Sequence, residues 1–159
     1  MAPEAKKKEI DDFVYEVTPL PFGIGHKALL RFLKIAAPVM ASVMEKRGTT
    51  ELAAAAAIRM IPAILSEDDI THFSSVFGKY TRYQSGDKWV PLVAENQELH
   101  FAGRYSAFFG WLAFCVEVNF SSFFGDLIKQ AGGVADRVPD MMATTRSTSI
   151  QNDGLSGES

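Results

Sequence analysis

Apolar and polar positions alternate in two ways along this chain. Phe13-Val14-Tyr15-Glu16-Val17 is aromatic and β-branched, which favours an extended strand. Pro19 and Pro21 end it, and Gly23 and Gly25 make a turn. After that the pattern becomes helical. Leu29, Leu33, Ala36, Met40 and Val43 predict a helix over 26–46, kinked at Pro38 and stopped by Arg47-Gly48. Thr50 is placed to cap a second helix through Ile64, with Pro62 disturbing its last turn. Ser66 caps a third, and Glu67, Asp68 and Asp69 meet the positive end of its dipole. Ile70, Phe73, Val76, Phe77 and Tyr80 then recur at helical spacing. A Ser85-Gly86 turn precedes a short strand or extended loop at 87–93.

The last apolar segment is the densest. Nine aromatics, half of those in the chain, lie between Phe101 and Phe124. Turned at 100° per residue, Tyr105, Phe109, Leu112, Val116, Phe123 and Leu127 share one face, and Ser106, Gly110, Glu117 and Ser121 form a polar strip. Trp111, Phe114 and Val118 form a second apolar edge. Such a helix either lies at the centre of its domain or docks one face on a partner. Asn119 on the main face either finds hydrogen-bond partners as a buried amide or caps a separate helix over 120–129.

From Ala131 to Ser159 there is no aromatic, and Gly, Ser, Thr, Asp and Asn dominate. This composition predicts a disordered tail, with Met141 and Met142 as its one apolar point. Residues 1–11 read as a mobile, solvated arm. The expectation is therefore one mainly α, compact helical domain over 12–130. It has a short N-terminal strand, room for a small β-hairpin, and the disordered tail over 131–159.

Composition narrows the function by exclusion. The chain has 159 residues and a formal net charge of −3, enough for one core and with no general drive toward nucleic acid. Lys6-Lys7-Lys8 is flanked by acids and has no apolar run after it, so a secretory signal is not expected. The apolar stretches 28–44, 52–65 and 107–116 are too short or too interrupted to predict a membrane span. A single cysteine, Cys115, rules out an internal disulfide and predicts a small buried hydrophobe. His26, His72 and His100 form no pair at metal-ligand spacing. Gly23-Ile24-Gly25-His26-Lys27 offers a weak phosphate cradle, and Glu98 with His100 a weak acid/base pair. No metal, cofactor or catalytic residue is assigned.

Two motifs carry a family resemblance. Glu98-Leu99-His100-Phe101-Ala102-Gly103-Arg104-Tyr105 is followed by an Asn-Phe-x-x-Phe-Phe ending at Asn119, Phe120, Phe123 and Phe124. With the Pro19-Leu20-Pro21 turn and the Leu65-Ser66-Glu67-Asp68 helix start, this resembles the tail assembly chaperones of long-tailed bacteriophages over about residues 12–130. The resemblance implies a small, non-catalytic, self-associating assembly factor in the host bacterial cytoplasm. Its partners would be the tape measure protein, which it keeps soluble, and tail tube subunits. It would take no nucleic acid or membrane partner, and it would be absent from the mature virion. Trp111, Phe114 and Val118 are the expected partner or self-association face. The competing reading is a small structural component of the tail or baseplate. Less favoured are a cofactor-binding domain using the Gly23-Gly25 turn and a membrane-lytic protein.

Overall fold

A computed structural model describes residues 3–135. In chain order the elements are β1 (Lys6–Ile10), β2 (Phe13–Val17), α1 (Phe22–Glu45), α2 (Thr50–Arg59), α3 (Ile61–Ile64), α4 (Glu67–Gly78), β3 (Thr81–Ser85), β4 (Lys88–Pro91), α5 (Ala94–His100) and α6 (Tyr105–Ala135). The strands form one antiparallel sheet in the order β1-β2-β3-β4. The fold is therefore α+β, which corrects the mainly α expectation.

The extra strands come from two tight turns. Asp11 and Asp12 both take positive φ (48° and 69°), the geometry of the two-residue turn that matches strand twist. Ile10 therefore pairs with Phe13, and Lys6 with Val17. Lys6-Lys7-Lys8, read from the sequence as part of a solvated arm, is an edge strand whose lysines blunt further pairing. A second two-residue turn, Gly86-Asp87, joins β3 to β4, with positive φ (61°) at Gly86 alone. Arg104 pins the first turn. Its guanidinium donates to the Asp11 carboxylate and carbonyl, each at 3.1 Å, and to the His100 carbonyl at 3.0 Å.

Helix boundaries follow local chemistry with small shifts. α1 starts at Phe22, directly after Pro21, so Gly23 and Gly25 lie inside its first turns. Pro38 sits within one continuous helix. Thr49 rather than Thr50 caps α2, accepting a hydrogen bond from the Leu52 amide at 3.1 Å. Pro62 separates α3 from α2 instead of ending a single helix. Ser66 and Asp69 form a reciprocal capping box at α4.

α6 is the central element and touches β1, β2, α2, α3 and α4. It is continuous past Asn119 and reaches Ala135. The first five residues of the expected tail thus extend the helix. Residues 136–159, including Met141 and Met142, lie outside the described residues. The Tyr105–Asp126 stretch of α6 is long and apolar enough to cross a membrane. Joined into one helix, it exceeds the short 107–116 stretch read from the sequence. Here it carries the buried core of the domain.

Between Trp111 and Phe124 both apolar sides of α6 are covered, while Tyr105 at its start is exposed. The sheet covers the Trp111 edge, and the helices cover the side of Phe120 and Phe124. Trp111 is fully buried and its indole N–H donates to the Thr81 hydroxyl at 3.2 Å. Phe114 is buried under β1, with the Lys8 ammonium 5.6 Å from its ring centre. Phe120 stacks on Phe32 of α1, and Phe124 meets the same ring edge-on.

Candidate functional site

Four groups of residues bear on function: the expected interface, the family motif, the titratable groups, and the apolar side chains left uncovered. The expected interface lies inside the molecule. Trp111 and Phe114 are buried and Val118 is half-buried, so this edge offers no open surface in the folded chain. The sequence gives that edge nothing to pack on because β1 and β3 are not evident in it. Once the sheet forms, it covers the edge.

The family motif has a structural role. Asn119 accepts a hydrogen bond from the Leu20 amide at 2.7 Å and donates to the Cys115 carbonyl at 2.8 Å. The Pro-Leu-Pro turn and the Asn-Phe-x-x-Phe-Phe ending therefore meet in space. Leu20 sits between two residues that have no backbone N–H, and Asn119 satisfies the one donor the turn has. Phe120 and Phe124 are buried, and Phe123 is half-buried against Phe124. Asn119 is thus a half-buried amide that finds hydrogen-bond partners within one continuous helix, and it caps no separate helix.

Among the described residues, the titratable groups singled out in the sequence do not come together. His100 stacks on Tyr83 at 3.9 Å between ring centres, and a 2.6 Å hydrogen bond joins its Nε2 to the Tyr15 hydroxyl. Burial, helped by the Arg104 charge, lowers its pKa to about 4. It is neutral at pH 7. Glu98 lines a groove on α5, while His100 packs against the sheet, so the pair read in sequence is split. Burial also raises the Tyr15 pKa, against the Arg104 charge. The Cys115 thiol is fully buried and pushed well above its usual pKa, which leaves it protonated at neutral pH. Among the described residues, no three His, Cys, Asp or Glu side chains gather as metal ligands. The Gly23-Gly25 region lines a small apolar cleft with Ile24, Lys27, His72 and Val76.

Among the described residues, two open apolar surfaces bear on function. The first is the outer side of α1. Phe22, His26, Leu30, Ala37 and Met44, all exposed, fall within an arc of about 80°. Its centre lies about 120° around the helix from that of the buried Ala28, Phe32 and Ala36. Phe22 is 87% exposed, and Leu30 and Met44 are about half exposed. On the hairpin partner α2, Leu52 is exposed, and so is Met60 at its C-terminal cap. The second surface is a groove of about 700 Å³ between α4, α5 and the start of α6. Ile70, Phe101, Phe108 and Phe109 give its apolar lining, and Tyr105 is 73% exposed at its edge. Gln97 holds α5 in place there, donating to the Ser74 and Leu92 carbonyls at 2.9 and 2.8 Å. Gly78 permits that approach, because a Cβ there would lie 2.2 Å from the Gln97 amide. The groove was missed in the sequence because α5 was not predicted. The open arc of α1 is not the stripe that the spacing of Leu29, Leu33, Ala36, Met40 and Val43 marks, and it needed the tertiary structure to be seen.

A family model described as "Phage tail assembly chaperone protein, TAC" matches residues 11–135. No curated relative and no solved structure matches the chain. The match spans every element from β2 through the described end of α6, together with the turn that precedes β2. The chain belongs to the phage tail assembly chaperone family.

Proposed function

We propose that this protein keeps the tape measure protein soluble during tail morphogenesis and helps bring tail tube subunits to it. It acts without catalysis, as a homo-oligomer in the host cytoplasm, and leaves before the virion is complete. The observation that carries this reading is the uncovered apolar surface of the α1–α2 hairpin. Soluble monomers rarely leave such side chains open in number without a partner. Met44, Leu52 and Met60 are exposed there, and Met40 is half-exposed. Flexible thioethers adapt to varied apolar partners, which suits a client held along a long helix. Each fully buried side chain of this size contributes about 1.5–3 kcal/mol before association costs.

Co-expression tests the reading. The tape measure protein should stay in the soluble fraction with the wild-type chain and move to the pellet without it. A Met44→Ser/Leu52→Ser/Met60→Ser variant should remain folded and fail to hold it. Equal solubility with the variant would remove the α1–α2 surface from the reading. Mass spectrometry of purified particles separates a chaperone from a structural tail protein: the chaperone should be absent, and stoichiometric amounts would favour the structural role.

A further inference from the structure

We infer that copies of this chain associate head to tail, with the N-terminal half of α1 from one copy seated in the α4–α5–α6 groove of the next. The inference rests on the homo-oligomer reading above and gives it an interface. The first support is charge. α4 and α5 frame the groove, and together they carry Glu67, Asp68, Asp69, Glu95 and Glu98 with no Lys or Arg. Asp69 is already held by Arg31 at 2.9 Å. Glu98 lines the groove itself. Glu67 lies three and four residues before Ile70 and Thr71, on the face that lines it.

The α1 stripe has the opposite character. Between Phe22 and Met44 the only charges are Lys27, Arg31 and Lys34. Lys27 and Lys34 border the exposed arc that holds Phe22 and Leu30. An apolar helix with a basic edge thus meets an apolar groove with an acidic edge. A groove of about 700 Å³ has room for a few such side chains.

The second support is placement. Ile70, Thr71 and Ser74 face the groove, whereas His72 and Val76 face Pro21 and the first turns of α1 at Ile24 and Lys27. These two sets lie on roughly opposite sides of α4. One copy therefore presents its groove and its α1 to different neighbours. Such a heterologous contact builds rings or open chains rather than a closed two-fold dimer.

Complementary charge reversal on the full chain tests this by sedimentation velocity. Lys27→Glu/Lys34→Glu puts acid against acid, and Glu67→Lys/Glu98→Lys puts base against base. Each variant alone should raise the apparent dissociation constant at least about tenfold. An equimolar mixture should assemble again, because each variant's altered surface then meets its opposite. Circular dichroism melts should confirm that both variants are folded. Wild-type association that is intact in both variants would overturn the inference and give the groove another occupant. Loss only with the α1 variant, and no recovery on mixing, would mean α1 pairs with α1 and would also overturn it. A wild-type chain that stays monomeric at all concentrations would overturn the homo-oligomer reading itself.

Discussion

α1 and α6 are both strongly apolar helices, yet they meet different fates. α6 is covered on both sides between Trp111 and Phe124, and its Trp111 side chain has no solvent exposure. α1 buries Ala28, Phe32 and Ala36 on one side and leaves Phe22, Leu30 and Met44 open on the other. Apolar content sets a demand for cover, and topology decides whether the chain itself supplies it. The sheet reaches one face of α6 because the β1–β2 hairpin folds back across it. Among the described residues, nothing packs over the outer arc of α1. The same chemistry therefore reads as core in one helix and as interface in the other.

Substitutions can break this contrast. The largest effect is expected at Trp111 and Phe114. Trp111→Ser/Phe114→Ser removes two buried aromatics and leaves the Thr81 hydroxyl without its indole donor. Large-to-small changes at such sites cost about 3–5 kcal/mol each, a large share of a domain's stability. The variant should lose its cooperative melt, measured by circular dichroism. A cooperative melt near the wild-type midpoint would return this edge to the surface.

Asn119→Ala comes next. It leaves the Leu20 N–H without its acceptor and loosens the Pro-Leu-Pro turn from α6. About 1–3 kcal/mol of stability should be lost in urea titration. A change within error would show that the motif asparagine serves something other than the fold.

The His100 effect is smaller and depends on pH. Its pKa in the fold, about 4, lies below the ordinary 6.5, so the unfolded chain binds the proton more readily. The stability tied to neutral His100 is full above about pH 6.5 and is lost as pH falls toward 4. His100→Gln keeps a hydrogen-bonding group for Tyr15 and cannot titrate. The variant should show a shallower fall of melting midpoint between pH 7 and 4.5. An unchanged slope would assign the acid sensitivity to other groups. Asp69 is one such group. The Ser66 hydroxyl and then Arg31 hold its pKa low, so it also loses stability on acidification.

The smallest stability effect is expected on α1–α2. Met44→Ser/Leu52→Ser/Met60→Ser touches exposed side chains, and each change should move stability by about 0.5 kcal/mol or less. Its cost should appear in client solubility instead. Differential scanning calorimetry of the free variant, beside the co-expression assay, separates the two.

Local chemistry made much of the fold legible. The β-branched run gave β2, the Ser66 cap gave the start of α4, and 3.6-residue spacing gave α1 and α6. β1 was hidden because Lys6-Lys7-Lys8 has no apolar alternation, and its pairing depends on the Asp11-Asp12 turn. β3 carries no signal of its own, because the helical spacing runs to Tyr80 and Thr81-Arg82-Tyr83-Gln84 is too short and polar a stretch to announce a strand. α5 has no buried residue in the pattern to announce it. The Asn119 ending marked the family from sequence, but its role as the clasp on Leu20 needed coordinates.

By itself, the sequence determined where apolar side chains concentrate, which helix starts are capped, and that titratable groups lack catalytic spacing. These follow from residue type and short-range geometry. The tertiary structure decided which apolar face is buried. Only packing shows that the sheet covers Trp111 and Phe114, that α5 closes a groove with α4 and α6, and that the outer arc of α1 stays open. Burial depends on what lies across from a side chain, and its neighbours there come from distant parts of the chain.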